Sequence, residues 1–298
     1  MKIKVEVEKK ERVDKYLSEE LDLSRSKIQR LIKDELVLVN DKVISNNYKV
    51  KDKDIIEVKD ELDFDINIEP EDIDIDVVYE DDDLLVINKE SGMVVHPAPG
   101  HYSHTLVNAL LYKFNIESKD KIRPGIVHRL DKDTSGLMLV AKNEKTHEYL
   151  SEMISKKEVD RHYLAIVDGV ITHDTGTIDA PIGRDINNRQ KMAVTDINSK
   201  EAITNFKVLE RFDNNTLLEC ILETGRTHQI RVHLSYINHP VNNDPLYGRG
   251  KATSFGQMLH SKSIKFIHPI TKKELFFEVD PPKEFTEKLE NLRTDTTN

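Results

Sequence analysis

Residues 137–141, Leu-Met-Leu-Val-Ala, form an unbroken apolar run between Ser135-Gly136 and Lys142-Asn143. A short run without polar alternation predicts a strand covered on both faces. Residues 161–169 predict a second strand, with Tyr163, Ala165 and Val167 on one face by the two-residue period of an extended chain. Between 72 and 77, Asp-Ile-Asp-Ile-Asp-Val alternates strictly, as a half-exposed edge strand does. The period changes at 227–237. There Ile230, Leu234 and Ile237 recur at i, i+4 and i+7, which predicts a helix from about Thr227 with His228 and Arg231 sharing another face. Near the amino terminus, Ile28, Leu31 and Ile32 stripe a short helix behind Ser24, a candidate N-cap. Residues 36–39 and 43–44 flank Asn40-Asp41-Lys42 as a hairpin, and a turn at 52–54 leads into a last strand, 55–58.

Charge changes this picture only locally. The formal net charge is −10, yet residues 61–83 hold twelve Asp or Glu and no Lys or Arg. Residues 1–60 and 84–298 each carry one more basic than acidic side chain. The acidity therefore belongs to a connecting stretch, whose first part, 60–71, is expected to be a hydrated linker. No apolar run approaches the ~18 residues of a membrane span, and no signal-peptide pattern is present. A single cysteine, Cys220, leaves no internal disulfide and no cysteine-built zinc site. The twelve histidines include no His-Glu-x-x-His, and His228 and His233, five apart, are a poor metal pair. A cytoplasmic protein with no metal, no other cofactor and no membrane partner is expected. Residues 286–298 read as a polar, frayed tail.

The chemistry concentrates just before the apolar run, in His128-Arg129-Leu130-Asp131-Lys132-Asp133-Thr134-Ser135-Gly136. A carboxylate at a strand end beside fixed cations can act as nucleophile or base. A calcium loop beginning at Asp131 would need a bidentate Glu at its twelfth position, and that position is Lys142. A magnesium-dependent aspartyl phosphatase would use two aspartates spaced like Asp131 and Asp133. It would place them directly after an uninterrupted apolar strand, where His128-Arg129 stands instead. That reading stays open, as does a turn in which Asp131 merely caps a backbone N–H. A second polar concentration, residues 223–234, sets Arg226 and Thr227 at the predicted helix start, which favours anions such as RNA phosphates. Tyr163 alone is compatible with plain core packing.

Together the segments around Asp131, Tyr163 and Arg231 resemble the RluA-type pseudouridine synthases. Residues 88–101, 239–248, 259–261 and 266–269 extend the likeness, which covers about residues 72–282. It departs from the family at Glu90, where Pro is frequent, and at Asn242-Asn243, where Val-Gly is frequent. Residues 11–59 resemble an S4 RNA-binding domain with a basic helix carrying Arg25, Lys27, Arg30 and Lys33. The departure there is Glu35, where Gly is usual in the helix-to-strand turn. Such a basic stripe also suits a merely solvated helix face.

The resemblance implies an α+β chain. A small S4 α/β module would precede a synthase domain, 72–285, built on a mixed, mostly antiparallel sheet with flanking helices and a central cleft. It implies isomerisation of uridine in RNA without cofactor. Asp131 matches the family nucleophile, Arg231 the arginine that would grip it bidentately, and Tyr163 the tyrosine that packs on uracil. Arg129 matches an arginine that fills the space left by the flipped base. His128, Thr134 and Arg226 are expected to order the loop or hold phosphates, and Ile230 to seal the pocket floor. Attack of Asp131 at C1′ and proton removal toward a glycal are both open. The S4-plus-synthase order resembles the RluD-like branch, which implies large-subunit ribosomal RNA as partner. A non-catalytic S4-type RNA-binding protein is the remaining alternative, and it would not need Asp131, Tyr163 and Arg231 together.

Overall fold

Two independent sets of apolar positions build two units, Met1–Asp65 and Ile66–Asn298. The computed structural model describes residues 2–5, 7, 10–21, 25–59, 68–97, 102–188 and 190–295, with only the backbone of Glu19 and Lys27. The first unit runs β1 (Lys2–Lys4), β2 (Glu11–Arg12), α1 (Val13–Glu20), α2 (Arg25–Lys33), β3 (Val37–Val39), β4 (Lys42–Val43), β5 (Lys49–Val50) and β6 (Ile55–Val58). Its main sheet has the order β1-β6-β3-β4. The predicted hairpin sets Leu38 opposite Val43 and Val39 opposite Lys42. Asn40 and Asp41 supply the positive φ that a tight hairpin turn needs. Leu17, Ile28, Leu31, Val37 and Ile56 close the core. Ser24, the candidate cap, lies outside the described residues.

The second unit comprises β7 (Asp76–Glu80), β8 (Leu84–Lys89), α3 (Leu106–Lys113), β9 (Ser135–Ala141), α4 (Glu144–Ser155), β10 (Asp160–Asp168), β11 (Thr175–Asp179) and β12 (Ile182–Arg184). It continues with β13 (Met192–Val194), β14 (Ile203–Arg211), β15 (Asn215–Leu222), α5 (Gln229–Tyr236), β16 (Leu259–Ile267), β17 (Glu274–Glu278) and α6 (Lys283–Asp295). The large sheet has the order β11-β14-β15-β10-β16-β9-β8-β7, with β17 also paired to β16. Every neighbour is antiparallel except β16 and β9, which run parallel through His260–Ser135 and Ser261–Gly136. The sheet is mixed and mostly antiparallel, as the resemblance implied.

The unbroken run at 137–141 now has its reason. Met138 and Val140 pack on one side of the sheet with Leu85 and Ile87, while Leu137, Leu139 and Ala141 pack on the other with Leu84 and Val86. Side chains alternate, yet both faces are covered, so no polar residue is tolerated. Each large aliphatic buried this way contributes roughly 1.5–3 kcal/mol. Leu106 and Leu110 of α3, Ile230 and Leu234 of α5, and Phe285 and Leu292 of α6 join the first core. Leu150 of α4 joins the second.

Three expectations need correction. The polar tail from 286 is, as far as Asp295, helix α6, because Phe285 and Leu292 are buried in the core. The linker expected to reach 71 ends sooner: Ile68 is buried, and the Asn108 side chain and carbonyl bind Glu69 O and Glu71 N–H at 2.8 and 3.0 Å. Residues 60–67 lie outside the described part. The alternation at 72–77 persists as alternating exposure, but pairing starts only at Asp76, in the terminal strand β7.

Candidate active site

Asp131 sits four residues before β9, at the point where that strand meets β16 in parallel. The close approach requires Gly136: its φ is +109°, and a Cβ there would stand 2.2 Å from Ser261 O. The polar run turns tightly, with Thr134 N–H donating to Asp131 O at 3.1 Å. Neighbouring loops pin it. The Lys89 ammonium, wholly buried, donates to Glu90 O, Met93 O and Lys132 O at 2.7, 3.0 and 2.9 Å. Burial pushes this ammonium down to about 7, against the pull of Asp131 and Asp133. Ser91 Oγ lies 3.1 Å from Asp133 O and 2.9 Å from Phe255 O. At Glu90, therefore, it is the buried lysine and not a proline ring that shapes the loop.

Arg231 reaches Asp131 from α5, as expected, but not with its fork. Its Nη1 donates to Asp131 Oδ2 at 2.8 Å. The bidentate face is given to Asp244, through Nε to Oδ2 at 2.7 Å and Nη2 to Oδ1 at 2.9 Å. Asp244 is buried and also accepts from Leu246 and Tyr247 N–H. Burial would raise its carboxyl, but the bonds and charge of Arg231 outweigh this and lower it. Burial likewise opposes the Arg231 cation, and the two aspartates reverse the effect and raise it. The guanidinium is thereby fixed before any substrate arrives, leaving Asp131 Oδ1 facing His228 Nε2 at 3.9 Å. His228 takes a left-handed φ of 57° as the cap of α5, so the helix begins two residues later than predicted. Its Nδ1 pairs with Tyr247 Oη at 2.9 Å, while that hydroxyl accepts Met192 N–H at 2.8 Å.

A cavity of about 530 Å³ opens beside Asp131. Tyr163, Arg129 and Asp131 line both it and a narrower cleft floored by Ile230 and Leu259. Tyr163 is buried, and burial raises its phenol above the ordinary range. Opposite it on β16 stands Ser261, whose hydroxyl donates to Leu137 O at 3.0 Å. Arg129 is exposed at the rim. His128 accepts Leu139 N–H on Nε2 at 2.9 Å, which puts its proton on Nδ1. Burial and Arg161 push this imidazole down to about 3. Arg226 lines the cavity, with Nε donating to Glu201 O at 2.8 Å and its backbone N–H taken by Gln229 Oε1. The free N–H groups expected near Arg226 are thus partly spent. Thr134, expected among the substrate contacts, is only 2% exposed and accepts from Gln257 Nε2 at 3.0 Å. It orders the loop.

Sequence reasoning overlooked Asp244, Lys89 and Tyr247. Asp244 follows Arg231 by thirteen positions in an irregular loop, where no periodicity reports a contact. For Lys89 the only signal was an ammonium closing a strand of buried aliphatics.

In the first unit the basic helix is partly engaged. Arg25 Nη2 donates to buried Asp14 at 3.0 Å, beside Arg12 and Gln29. Burial would raise the Asp14 carboxyl, yet these donors hold it far below its usual range. Arg30 lies 3.7 Å from Asp34. Lys33 is exposed, and the side chain of Lys27 is outside the described part. Arg25 is therefore tied into the fold of its own unit, and Arg30 stands in an exposed ion pair along its own helix.

Known proteins resemble this chain in sequence and in fold. The profile of the RNA pseudouridylate synthase family matches residues 83–236, and that of the S4 domain residues 11–56. An uncharacterized RNA pseudouridine synthase of Bacillus subtilis (strain 168), YlyB, is 50% identical over 294 residues, 97% of this chain and 96% of its own. Ribosomal large subunit pseudouridine synthase D of Escherichia coli (strain K12) is 40% identical over 301 residues, 96% of this chain and 91% of its own. Among solved structures, human RNA pseudouridylate synthase domain containing 1 is similar at a TM-score of 0.59 and 26% identity, over 74% of this chain and 95% of that one.

Proposed function

This chain belongs to the RNA pseudouridylate synthase family and isomerises uridine to pseudouridine in RNA; from there we propose that Asp131 is the reacting carboxylate and that large-subunit ribosomal RNA is the substrate. The observation that carries the first part is a carboxylate held at one oxygen by a pre-set guanidinium, with its other oxygen beside a nucleotide-sized cavity. The reaction breaks the N1–C1′ bond, turns the uracil and joins C5 to C1′. A proton leaves C5 and one is gained at N1, so nothing is consumed. Asp131 Oδ1 is the oxygen available to attack C1′ or to take a sugar proton toward a glycal.

A uridine within a helix or stacked loop has to be swung out, which costs a few kcal/mol. Packing on Tyr163 offsets about 1–3 kcal/mol of that. A phenol that burial keeps protonated suits a packing surface better than a base. Arg129, exposed at the rim, fits the gap the base leaves. His128 and Arg226 present N–H groups along the wall, and Ile230 closes the floor. The ribosomal target is supported by the name and 40% identity of the Escherichia coli relative and by the S4 module with its basic helix. Such a target would put the protein in the cytoplasm with its substrate.

Asp131→Asn should bind RNA normally yet release no tritium from [5-³H]uridine RNA. Substantial release would remove Asp131 from the reaction. Pseudouridine maps of RNA from cells with and without the gene should differ in large-subunit ribosomal RNA; a difference confined to transfer RNA would move the substrate there.

A further inference from the structure

Arg161, the second residue of β10, stands two positions before Tyr163, so both side chains leave the same face of that strand, about 7 Å apart. It is 3% exposed, and it lines the cavity beside Asp131. Its Nε has no hydrogen-bond partner among the described residues, and no carboxylate among them pairs with its guanidinium. The acids that could serve are committed elsewhere: Asp131 to Arg231, and Glu223 to Lys157 at 2.8 Å. Room for the guanidinium is made by Gly225, where a Cβ would stand 3.1 Å from Arg161 Nη1. Gly225 is not needed for a left-handed turn, since its φ lies in the ordinary region. Its service is space.

A buried guanidinium without a counter-charge is costly for the fold and calls for an anionic partner. Its planar fork fits two oxygens of one phosphate. Arg123, Arg129 and Arg226 line the same cavity and bias it toward anions. We propose that Arg161 is a phosphate subsite, gripping a backbone phosphodiester next to the uridine that packs on Tyr163. This rests on the reading that uridine reacts at Asp131. It adds a backbone anchor inside the cavity that places the sugar carbon against the carboxylate.

The test measures tritium release by the full chain from a [5-³H]uridine-labelled large-subunit ribosomal RNA transcript, across a range of salt concentrations. No release by the wild-type protein would count against the ribosomal reading itself. Given release, Arg161→Gln should raise KM about tenfold while kcat changes less than about threefold. The slope of log(kcat/KM) against log[salt] should flatten by about 0.7, one phosphate contact on a single strand. Arg161→Lys should keep the slope and recover part of KM. An unchanged slope in Arg161→Gln overturns the proposal: with kcat lost it marks a contact to a uracil carbonyl, and with kcat kept it marks a structural residue. If circular dichroism shows Arg161→Gln unfolded, Gly225→Leu decides, because a side chain longer than one Cβ would need the place of the guanidinium while its charge is kept. A raised KM with a flatter slope there supports the subsite, and wild-type values overturn it.

Discussion

Arg231 divides its donors unequally, two to Asp244 and one to Asp131. The division has a physical purpose. In the reaction proposed for Asp131, a guanidinium clamped by a second, fully buried carboxylate does not have to reorganise as the charge on Asp131 changes. Asp244→Asn should therefore injure catalysis from a distance, since an amide cannot accept both N–H groups. A misplacement of about 1 Å costs on the order of 100-fold, so kcat should fall by about that factor with RNA affinity little changed. Single-turnover tritium release checks this, and near-normal turnover would make Asp244 a bystander. That Asp131, Arg231 and Tyr163 would share one cleft was readable in the chain, because each lies in a segment with its own family pattern. Asp244 was not, because a contact between a helix and a loop leaves no trace in spacing.

At the level of elements, two departures from pattern have mechanical explanations. Glu35 stands where a glycine was expected and adopts φ of 60° between α2 and β3. Left-handed backbone costs a residue with a Cβ about 1–2 kcal/mol, less the entropy glycine adds to the unfolded chain. Glu35→Gly should thus stabilise the first unit by about 0.5–1 kcal/mol in urea melts; a loss of stability would mean the Glu35 side chain is needed where it is. Helix α6 was missed for a different reason. Phe285, Leu289 and Leu292 recur at i, i+4 and i+7, but among so many charged neighbours the stripe read as a tail. Phe285 is 1% exposed. Phe285→Ala should destabilise the second unit by about 3–5 kcal/mol, measured by thermal unfolding. Little change would return α6 to the status of an appendage. Strand β10 was legible from its alternate residues, and β9 from an unbroken apolar run that two covered faces require.

Across the whole molecule, buried imidazoles make the second unit sensitive to acid. Burial holds His260 down at about 4, and burial together with Arg129 holds His96 at about 4. His128 sits at about 3. In the unfolded chain each titrates near 6.5. Between about pH 6.5 and 4 the unfolded state thus binds protons that the folded state refuses. Stability is full above 6.5 and falls as pH drops toward 4. His260, 1% exposed, contributes on the order of 3 kcal/mol of this loss. Melting temperatures taken from pH 7 to 4 should fall steeply, and less steeply in His260→Gln. Equal slopes would show that His260 is not among the groups refused a proton.

What the chain settled on its own were properties written locally: the periods of its strands and helices, the concentration of acid in residues 61–83, and the motif that carries the carboxylate proposed to react. Each depends on neighbours within a few residues, so linear spacing suffices to express it. What only the fold decided were relations between distant segments. Arg231 sits 100 positions after Asp131, and its orientation is set by Asp244. Arg161 lies in a cavity, without a carboxylate partner among the described residues, where Gly225, on another strand's exit, leaves it room. Chain order carries no distances between such segments; these appear only when both faces of one sheet have been packed.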